Sequence, residues 1–106
     1  MKKAKLHSGN EIPLFGLGTW KSSKDLVYKA IRKAIEIGYK HIDCAFIYQN
    51  ETVIGNALND AFKAGDVKRE DIWITSKLWN TEHKAEDVQP AIENTLRDLQ
   101  LDYLDL

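Results

Sequence analysis

The chain has 106 residues, of which 43% are hydrophobic and 29% charged, a composition that predicts one small soluble domain over residues 1–106. Its net charge of −1, with basic and acidic residues interspersed, excludes the electrostatic pattern of a nucleic-acid or anionic-membrane binder. No apolar run approaches the roughly 18 residues of a membrane helix, and no signal-peptide core follows the basic start. We therefore expect a cytoplasmic protein with neither nucleic acid nor membrane as a partner.

The sequence offers little for a disulfide or a metal site. Cys44 is the only cysteine, and His7, His41 and His83 are far apart in the chain. A single thiol cannot form an internal disulfide, and histidines this scattered are more often structural or surface residues than ligands. We expect a reducing compartment and no metal.

The first stretch of the chain predicts a hairpin followed by a buried strand. Residues 8–10 read Ser-Gly-Asn and separate two short polar runs at residues 3–7 and 11–12, which suits a tight turn. Residues 14–18 then predict the first strand, whose two glycines allow a neighbouring backbone to approach closely.

Three helices are predicted from apolar residues spaced three and four apart. Ser22 and Ser23 are N-cap candidates for the first helix, Ser22 with Asp25 resembles a weak capping box, and the helix ends at Gly38. The second begins after Asn50, a fair N-cap, has Glu51 in its first turn, where a carboxylate suits the helix dipole, and ends at Gly65. Pro90 interrupts the third pattern, so we expect a separate short turn before it or a helix that has Pro90 near its first turn. The predicted buried faces are Val27, Ala30, Ile31, Ala34 and Ile35; Ile54, Ala57, Leu58, Ala61 and Phe62; and Val88, Ala91, Ile92, Thr95, Leu96 and Leu99.

Strands are predicted to start near residues 14, 40, 72 and 103, with one helix in each interval. This alternation is typical of right-handed βαβ units around a parallel sheet. The Rossmann glycine motif fails after the first strand, where only its first two glycines are present. A complete barrel needs about 250 residues. The alternation fits a doubly wound sheet or a (β/α)8 barrel, and the polar and aromatic residues placed at strand ends, described next, favour the barrel. The predicted fold class is α/β, an incomplete (β/α)8 TIM barrel with an amino-terminal hairpin and about three and a half βα units.

The segment at residues 40–51 is the most informative for function, because a strand in it ends on an aspartate. A buried carboxylate is costly unless it is paired, and Lys77 at the end of the next strand is the partner that we predict for Asp43. Tyr48 follows on the loop above both. Trp20 and Trp79 also fall just past strand ends, where barrel active sites lie. Each residue alone would more often pack or face solvent, but together they predict a chemical site.

Four segments closely resemble the aldo-keto reductase family. They are GNEIPLFGLGTWKS, GYKHIDCAFIYQNETVIGNAL, ITSKLWNTEH and LRDLQLDYLDL, and the resemblance covers essentially the whole chain. It implies a barrel enzyme that reduces aldehydes and ketones, its small-molecule carbonyl substrates, with NADPH, which is left as NADP.

The resemblance also implies roles for single residues. Tyr48 would be the proton donor, with Lys77 and Asp43 as its charged support. The cofactor would contact Thr19, Trp20, Lys21 and Asp43, and the substrate would contact Trp20, Ile47, Tyr48 and Trp79. The family's catalytic histidine would lie about four residues past Leu106, so we expect the chain to be part of a longer, monomeric protein.

The chemistry of these residue types agrees with those roles. Carbonyl reduction builds negative charge on oxygen, and an ordinary phenol, with a pKa of about 10, is a weak acid for that oxygen near neutrality. A lysine within about 4–6 Å favours the phenolate, and an aspartate keeps that lysine charged and oriented.

Two other functions stay open at this point. The short chain could be a non-catalytic half-barrel that binds a partner or self-associates through its open edge. Lys77 could instead be a Schiff-base nucleophile, although Asp43 beside it would raise the lysine pKa when such chemistry needs it lowered.

Overall fold

A computed structural model describes all 106 residues. The chain forms a hairpin and then alternates strands with helices. The hairpin consists of β1 (Lys3–Lys5) and β2 (Glu11–Pro13), and the parallel strands are β3 (Leu17–Gly18), β4 (His41–Asp43) and β5 (Trp73–Thr75). The helices are α1 (Lys24–Glu36), α2 (Glu51–Ala64) and α3 (Ala85–Leu99), and short 3₁₀ turns lie at Phe46–Tyr48, Arg69–Asp71 and Asn80–Glu82.

The central sheet has the order β3–β4–β5, with all three strands parallel. Side chains alternate along a strand, so Ile42 and Ile74 share one face while His41 and Asp43 share the other. Ile42 and Ile74 pair across the sheet and have no exposed surface. The predicted parallel α/β architecture is confirmed.

The helices cover the isoleucine face of this sheet. In α1 and α2 the predicted faces are mostly buried, whereas α3 buries only Thr95 and Leu99 of its predicted face and leaves Ile92 exposed. The reason is that α3 packs mainly on α2, at the margin of the core. No helix of the chain combines the length and apolar character needed to span a membrane.

Gly55 has no side chain, and this lets α3 approach α2 closely. A Cβ atom at this position would lie 2.2 Å from the Asp98 carbonyl oxygen and 2.8 Å from the Leu99 backbone. Any larger residue would push the two helices apart, so a glycine in the middle of α2 is explained by packing.

Helix ends follow the sequence prediction at some sites only. Gly38 and Gly65 have the expected left-handed φ, 104° and 77°. The N-cap of α1 is the second candidate, Ser23, and its side chain makes no capping bond, so the predicted box of Ser22 with Asp25 is wrong. Pro90 lies inside α3, which continues through it. The bond that Pro90 cannot make would go to the carbonyl of residue 86, in the exposed first turn, where water can take its place.

The first strand is shorter than predicted. It starts at Leu17 rather than at residue 14, because the Leu14 amide donates to the Lys2 carbonyl, 3.0 Å away, and so remains part of the hairpin. Gly16 does allow the predicted close approach, since a Cβ there would be 2.8 Å from the His41 carbonyl oxygen. At Gly18 no atom lies that near, and the prediction is wrong there.

The fourth strand predicted to begin at residue 103 is partly formed: the segment lies beside β5, and the Ser76 amide donates to the Leu106 carbonyl at 3.0 Å. The Asp105 and Leu106 amides donate to the Ile74 carbonyl at 3.0 and 3.4 Å. The Asp105 carboxylate accepts from the Ile74 amide at 2.8 Å and pairs with Arg69 at 2.8 Å. Backbone hydrogen bonds of a parallel ladder therefore form on both sides of Thr75, while the Asp105 side chain accepts from the Ile74 amide.

Candidate functional site

An ion pair joins the carboxyl ends of β4 and β5. Lys77 Nζ lies 2.5 Å from Asp43 Oδ1 and donates a second hydrogen bond to the Cys44 carbonyl at 2.9 Å. Asp43 is the last residue of β4, and Lys77 follows the end of β5 by two residues. Because the strands are parallel, their ends meet at one edge of the sheet, so the two residues predicted to pair do so.

The environment of Lys77 favours its charged form. Partial burial disfavours the ammonium, but the hydrogen bond and the negative charge of Asp43 outweigh that effect, and the pKa of Lys77 is raised above its ordinary value. A nucleophilic lysine needs the opposite shift, so this environment disfavours a Schiff-base role.

Tyr48 lies beside this pair. It ends the 3₁₀ turn Phe46–Tyr48, and Gln49 after it takes a left-handed conformation, with φ of 58°. Lys77 Nζ is 5.3 Å from the centroid of the Tyr48 ring. An ammonium has three donors, and Asp43 and Cys44 accept from two, so the third remains for the Tyr48 phenol, which also contributes to the raised pKa of Lys77.

The loop after β3 places its three predicted cofactor residues differently. The Thr19 hydroxyl is buried and donates to the Asp43 carbonyl at 2.8 Å, so it stabilises the strand ends and does not face the solvent. Trp20 is 68% exposed, and Lys21 Nζ lies 4.8 Å from its ring centroid. Only Trp20 and Lys21 therefore present side chains that a ligand could contact.

The residues predicted to form the substrate wall do not line one pocket. Trp79 and Lys77 line a cleft of about 310 Å³ against α3, with Phe46 on its rim. Trp20, Ile47 and Tyr48 lie outside that cleft. Asp43 borders a second hollow of about 440 Å³ on the open face of the sheet, which the hairpin also lines. The substrate assignments stay predictions.

Sequence reasoning treated Asn50 as a helix cap, and the structure gives it another use. It precedes α2 but makes no capping bond with its side chain. Its Nδ2 donates instead to the carbonyls of Thr19 at 3.0 Å and Ser22 at 3.2 Å. Asn50 thus connects the loop after β3 to the start of α2.

Glu51 was predicted only to suit the helix dipole, but it is 4% exposed. Its Oε2 accepts from Ser76 Oγ at 2.6 Å and its Oε1 from Thr95 Oγ1 at 3.3 Å. Burial raises the pKa of Glu51, and the two hydrogen bonds offset part of that effect. A signal was present in the sequence, because Glu51 lies three and seven residues before Ile54 and Leu58 and so shares their buried face.

His41 fixes the hairpin to the open face of the sheet. Its Nδ1 is 3.2 Å from the Pro13 carbonyl oxygen and its Nε2 is 3.0 Å from Thr75 Oγ1. A carbonyl can only accept, so Nδ1 carries the proton and Nε2 accepts from Thr75 when the ring is neutral. The Thr75 hydroxyl accepts in turn from Trp73 Nε1 at 3.2 Å.

Comparison with known proteins identifies one family throughout. The family model described as "Aldo/keto reductase family" matches residues 14–106. The chain is 58% identical over 102 residues to aldo-keto reductase family 1 member A1 of Rattus norvegicus, covering 95% of this chain and 31% of that protein. It is 56% identical over 106 residues to an aldo/keto reductase of Synechocystis, covering 100% of this chain and 32% of that protein.

Solved structures agree. The aldose reductase of Schistosoma japonicum has a TM-score of 0.94 at 52% identity, covering 98% of this chain and 35% of that one. An aldo-keto reductase of Bombyx mori in complex with NADP has a TM-score of 0.93 at 40% identity, covering 97% and 36%. The chain thus spans about a third of the length of the relatives it matches.

Proposed function

Because the chain belongs to the aldo/keto reductase family, we propose that it is the amino-terminal part of a (β/α)8 barrel domain that reduces aldehydes and ketones to alcohols with NADPH. The observation that carries the proposal is the Asp43–Lys77 ion pair beside the Tyr48 ring, at the carboxyl ends of parallel strands. Active sites of (β/α)8 barrels lie at that end of the strands.

Tyr48 is the proton donor in this proposal. As a carbonyl carbon is reduced, negative charge develops on its oxygen, and a phenol within hydrogen-bond reach can protonate it. The ammonium of Lys77, 5.3 Å from the Tyr48 ring centroid, stabilises the phenolate that remains. Asp43 keeps Lys77 charged and directed towards this position.

The residues of this site fit a nicotinamide nucleotide, whose nicotinamide ring supplies the hydride when it is bound. The exposed aromatic surface of Trp20 and the ammonium of Lys21 suit a ring and a phosphate-bearing ligand, and Asp43 offers carboxylate oxygens to hydroxyl or amide donors. The Thr19 hydroxyl is already bonded to the Asp43 carbonyl, so we assign Thr19 to the cofactor site through its backbone position only. Trp20, Ile47, Tyr48 and Trp79 remain the proposed substrate contacts.

Replacing the phenol tests this function directly. In the complete protein that carries this chain, Tyr48→Phe should lower aldehyde turnover by about 10²–10⁴-fold, the usual contribution of a positioned acid. NADPH affinity, measured by fluorescence titration, should change little, because the phenol acts on the carbonyl oxygen and not on the nucleotide.

Tyr103→Phe is the matched control. It removes a hydroxyl from an exposed tyrosine outside the site and keeps the ring that lies 3.9 Å from the Arg69 guanidinium. Its turnover should equal that of the wild type. Retention of most of the turnover by Tyr48→Phe would remove Tyr48 from the role of acid.

The 106-residue chain prepared alone could instead act as a self-associating module. The observation that favours this second candidate is the open hollow of about 440 Å³ on the sheet, lined in part by Ile12, Leu14 and Leu17. Leu14 is 62% exposed. Analytical ultracentrifugation of the isolated chain would detect association, and a monodisperse monomer that binds no hydrophobic dye would dismiss this candidate.

A further inference from the structure

We propose that Asn50 and Glu51 are positioning residues with separate tasks: Asn50 holds the loop that carries Trp20 and Lys21, and Glu51 holds the backbone that carries Lys77. This proposal rests on the function proposed above. It predicts that two adjacent residues, neither of which touches the reacting atoms, control different kinetic constants.

Asn50 holds both ends of one short loop. Its Nδ2 donates to the carbonyls of Thr19 and Ser22, and these two residues flank Trp20 and Lys21. The backbone between them needs such support, because Lys21 has a left-handed φ of 58°, a conformation unfavourable for a lysine.

The side chain of Asn50 bonds to this loop and does not cap α2. An asparagine before a helix normally accepts a hydrogen bond from a first-turn amide through its oxygen. Here Asn50 is 2% exposed, its Oδ1 is buried without a partner, and no capping bond forms. A buried unpaired amide oxygen is unfavourable, so the two bonds to the loop are the function that explains this asparagine.

Glu51 fixes the other neighbouring strand end. Its Oε2 accepts from Ser76 Oγ at 2.6 Å, and Ser76 directly precedes Lys77. Its Oε1 accepts from Thr95 of α3. A first-turn glutamate can face water at no cost, as Glu86 does in α3. Burying the carboxylate of Glu51 costs free energy. The hydrogen bond that it accepts holds Ser76, the residue between β5 and Lys77, in place.

Asn50 and Glu51 follow Tyr48 closely in the chain. The segment that carries Tyr48 is therefore bonded both to the loop after β3 and to the loop after β5. Loss of the Asn50 bonds would loosen the proposed cofactor loop, whereas loss of the Glu51 bonds would displace the Lys77 ammonium from Asp43 and Tyr48. A displacement of about 1 Å in a group that supports catalysis can lower a rate about a hundredfold.

The test separates cofactor affinity from turnover in the complete protein. Asn50→Asp keeps the size of the side chain but loses both donors, and it should weaken NADPH binding about tenfold while turnover at saturating cofactor falls much less. Glu51→Ala should lower turnover about ten- to a hundredfold and leave NADPH affinity nearly unchanged.

Conservative variants and a matched control distinguish positioning from general destabilisation. Glu51→Gln can still bond to Ser76 and Thr95 and should retain most of the turnover. Ser76→Ala should reproduce the loss in Glu51→Ala, and the double variant should be no worse than either single one. Glu86→Ala removes an exposed first-turn glutamate and should leave both constants unchanged.

A second readout does not depend on activity. The protein is labelled with [13Cε]lysine, and the Lys77 signal is assigned by its absence in Lys77→Met. In the wild type, the pKa read from the titration of this signal should lie above that of an ordinary lysine. It should move towards the ordinary value in Glu51→Ala and in Ser76→Ala, which keeps the Glu51 charge, but not in Glu86→Ala. If the wild type reduces no carbonyl, the proposed function fails while this titration still decides the role of Glu51.

Three outcomes would overturn the proposal. The first is an unchanged Lys77 titration in both Glu51→Ala and Ser76→Ala. The second is equal loss of affinity and turnover in the Asn50 and Glu51 variants, which would indicate a merely structural junction. The third is wild-type NADPH affinity in Asn50→Asp.

Discussion

The two faces of the three-stranded sheet use the same strands for different purposes. Towards the helices, Ile42 and Ile74 are fully buried in the apolar core. On the other face, one residue away, His41 and Asp43 are partly exposed, His41 makes two hydrogen bonds and Asp43 pairs with Lys77. The alternation of a β-strand therefore separates stability from chemistry, and each face should fail in its own way when it is changed.

The largest effect should come from the ion pair on the open face. In the complete protein, Asp43→Asn and Lys77→Met should each lower carbonyl turnover by about 10²–10⁴-fold, because both act through the Tyr48 acid. The double variant should be far from additive, since the two residues form one charged unit.

Stability should respond differently to the same two changes. Both side chains are more than 40% exposed, so the pair should contribute at most about 1 kcal/mol to the free energy of unfolding. Urea unfolding measures this. Additive losses in turnover, or a large loss of stability, would contradict the division between the two faces.

The next effect belongs to the helix-facing side. Ile42→Ala removes a side chain with no exposed surface from the core and should lower the free energy of unfolding by about 2–5 kcal/mol. Ile37→Ala, at a residue that is 62% exposed, is the control and should change stability by about 0.5 kcal/mol or less. If the folded fraction of Ile42→Ala shows much weaker NADPH binding than the wild type, the two faces are coupled.

A smaller effect is expected where the open face meets the hairpin. His41→Ala leaves the Pro13 carbonyl and the Thr75 hydroxyl without their ring partner and should cost about 1–3 kcal/mol in thermal or urea unfolding. His83→Ala replaces an exposed histidine and should be neutral. Equal stability of the two variants would mean that the hairpin does not depend on His41.

Much of the fold could be predicted because it follows from local patterns. Hydrophobic periodicity identified all three helices, and the spacing of strands and helices predicted the parallel sheet. The pairing of Asp43 with Lys77 could be predicted because parallel strands end at one edge. The family resemblance is confirmed by the match over residues 14–106.

The errors occurred where tertiary contacts override local signals. The Asp105 carboxylate accepts from the Ile74 amide and pairs with Arg69, a residue 36 positions away, and no local pattern reveals these contacts. Asn50 carries the usual sequence signal of a cap, but its partners are the carbonyls of a loop about 30 residues earlier in the chain. Glu51 was detectable from helical periodicity, but its partners were not.

The smallest expected effect is a pH dependence of stability that comes from Glu51. Burial raises its pKa, Asp98 adds to the shift, and hydrogen bonds from Ser76 and Thr95 together with the charge of Lys77 oppose it. With the folded pKa above the unfolded one, the native state binds the proton more tightly, so this contribution is fully present below the ordinary glutamate value of about 4.3. It is lost as the pH rises through the raised folded value. The wild-type unfolding free energy minus that of Glu51→Gln, from urea titrations at successive pH values, should therefore decrease across this window and then level off. The corresponding difference for Glu86→Gln should stay flat, and a Glu51 difference that increases with pH would show that the buried carboxylate is stabilised as an anion.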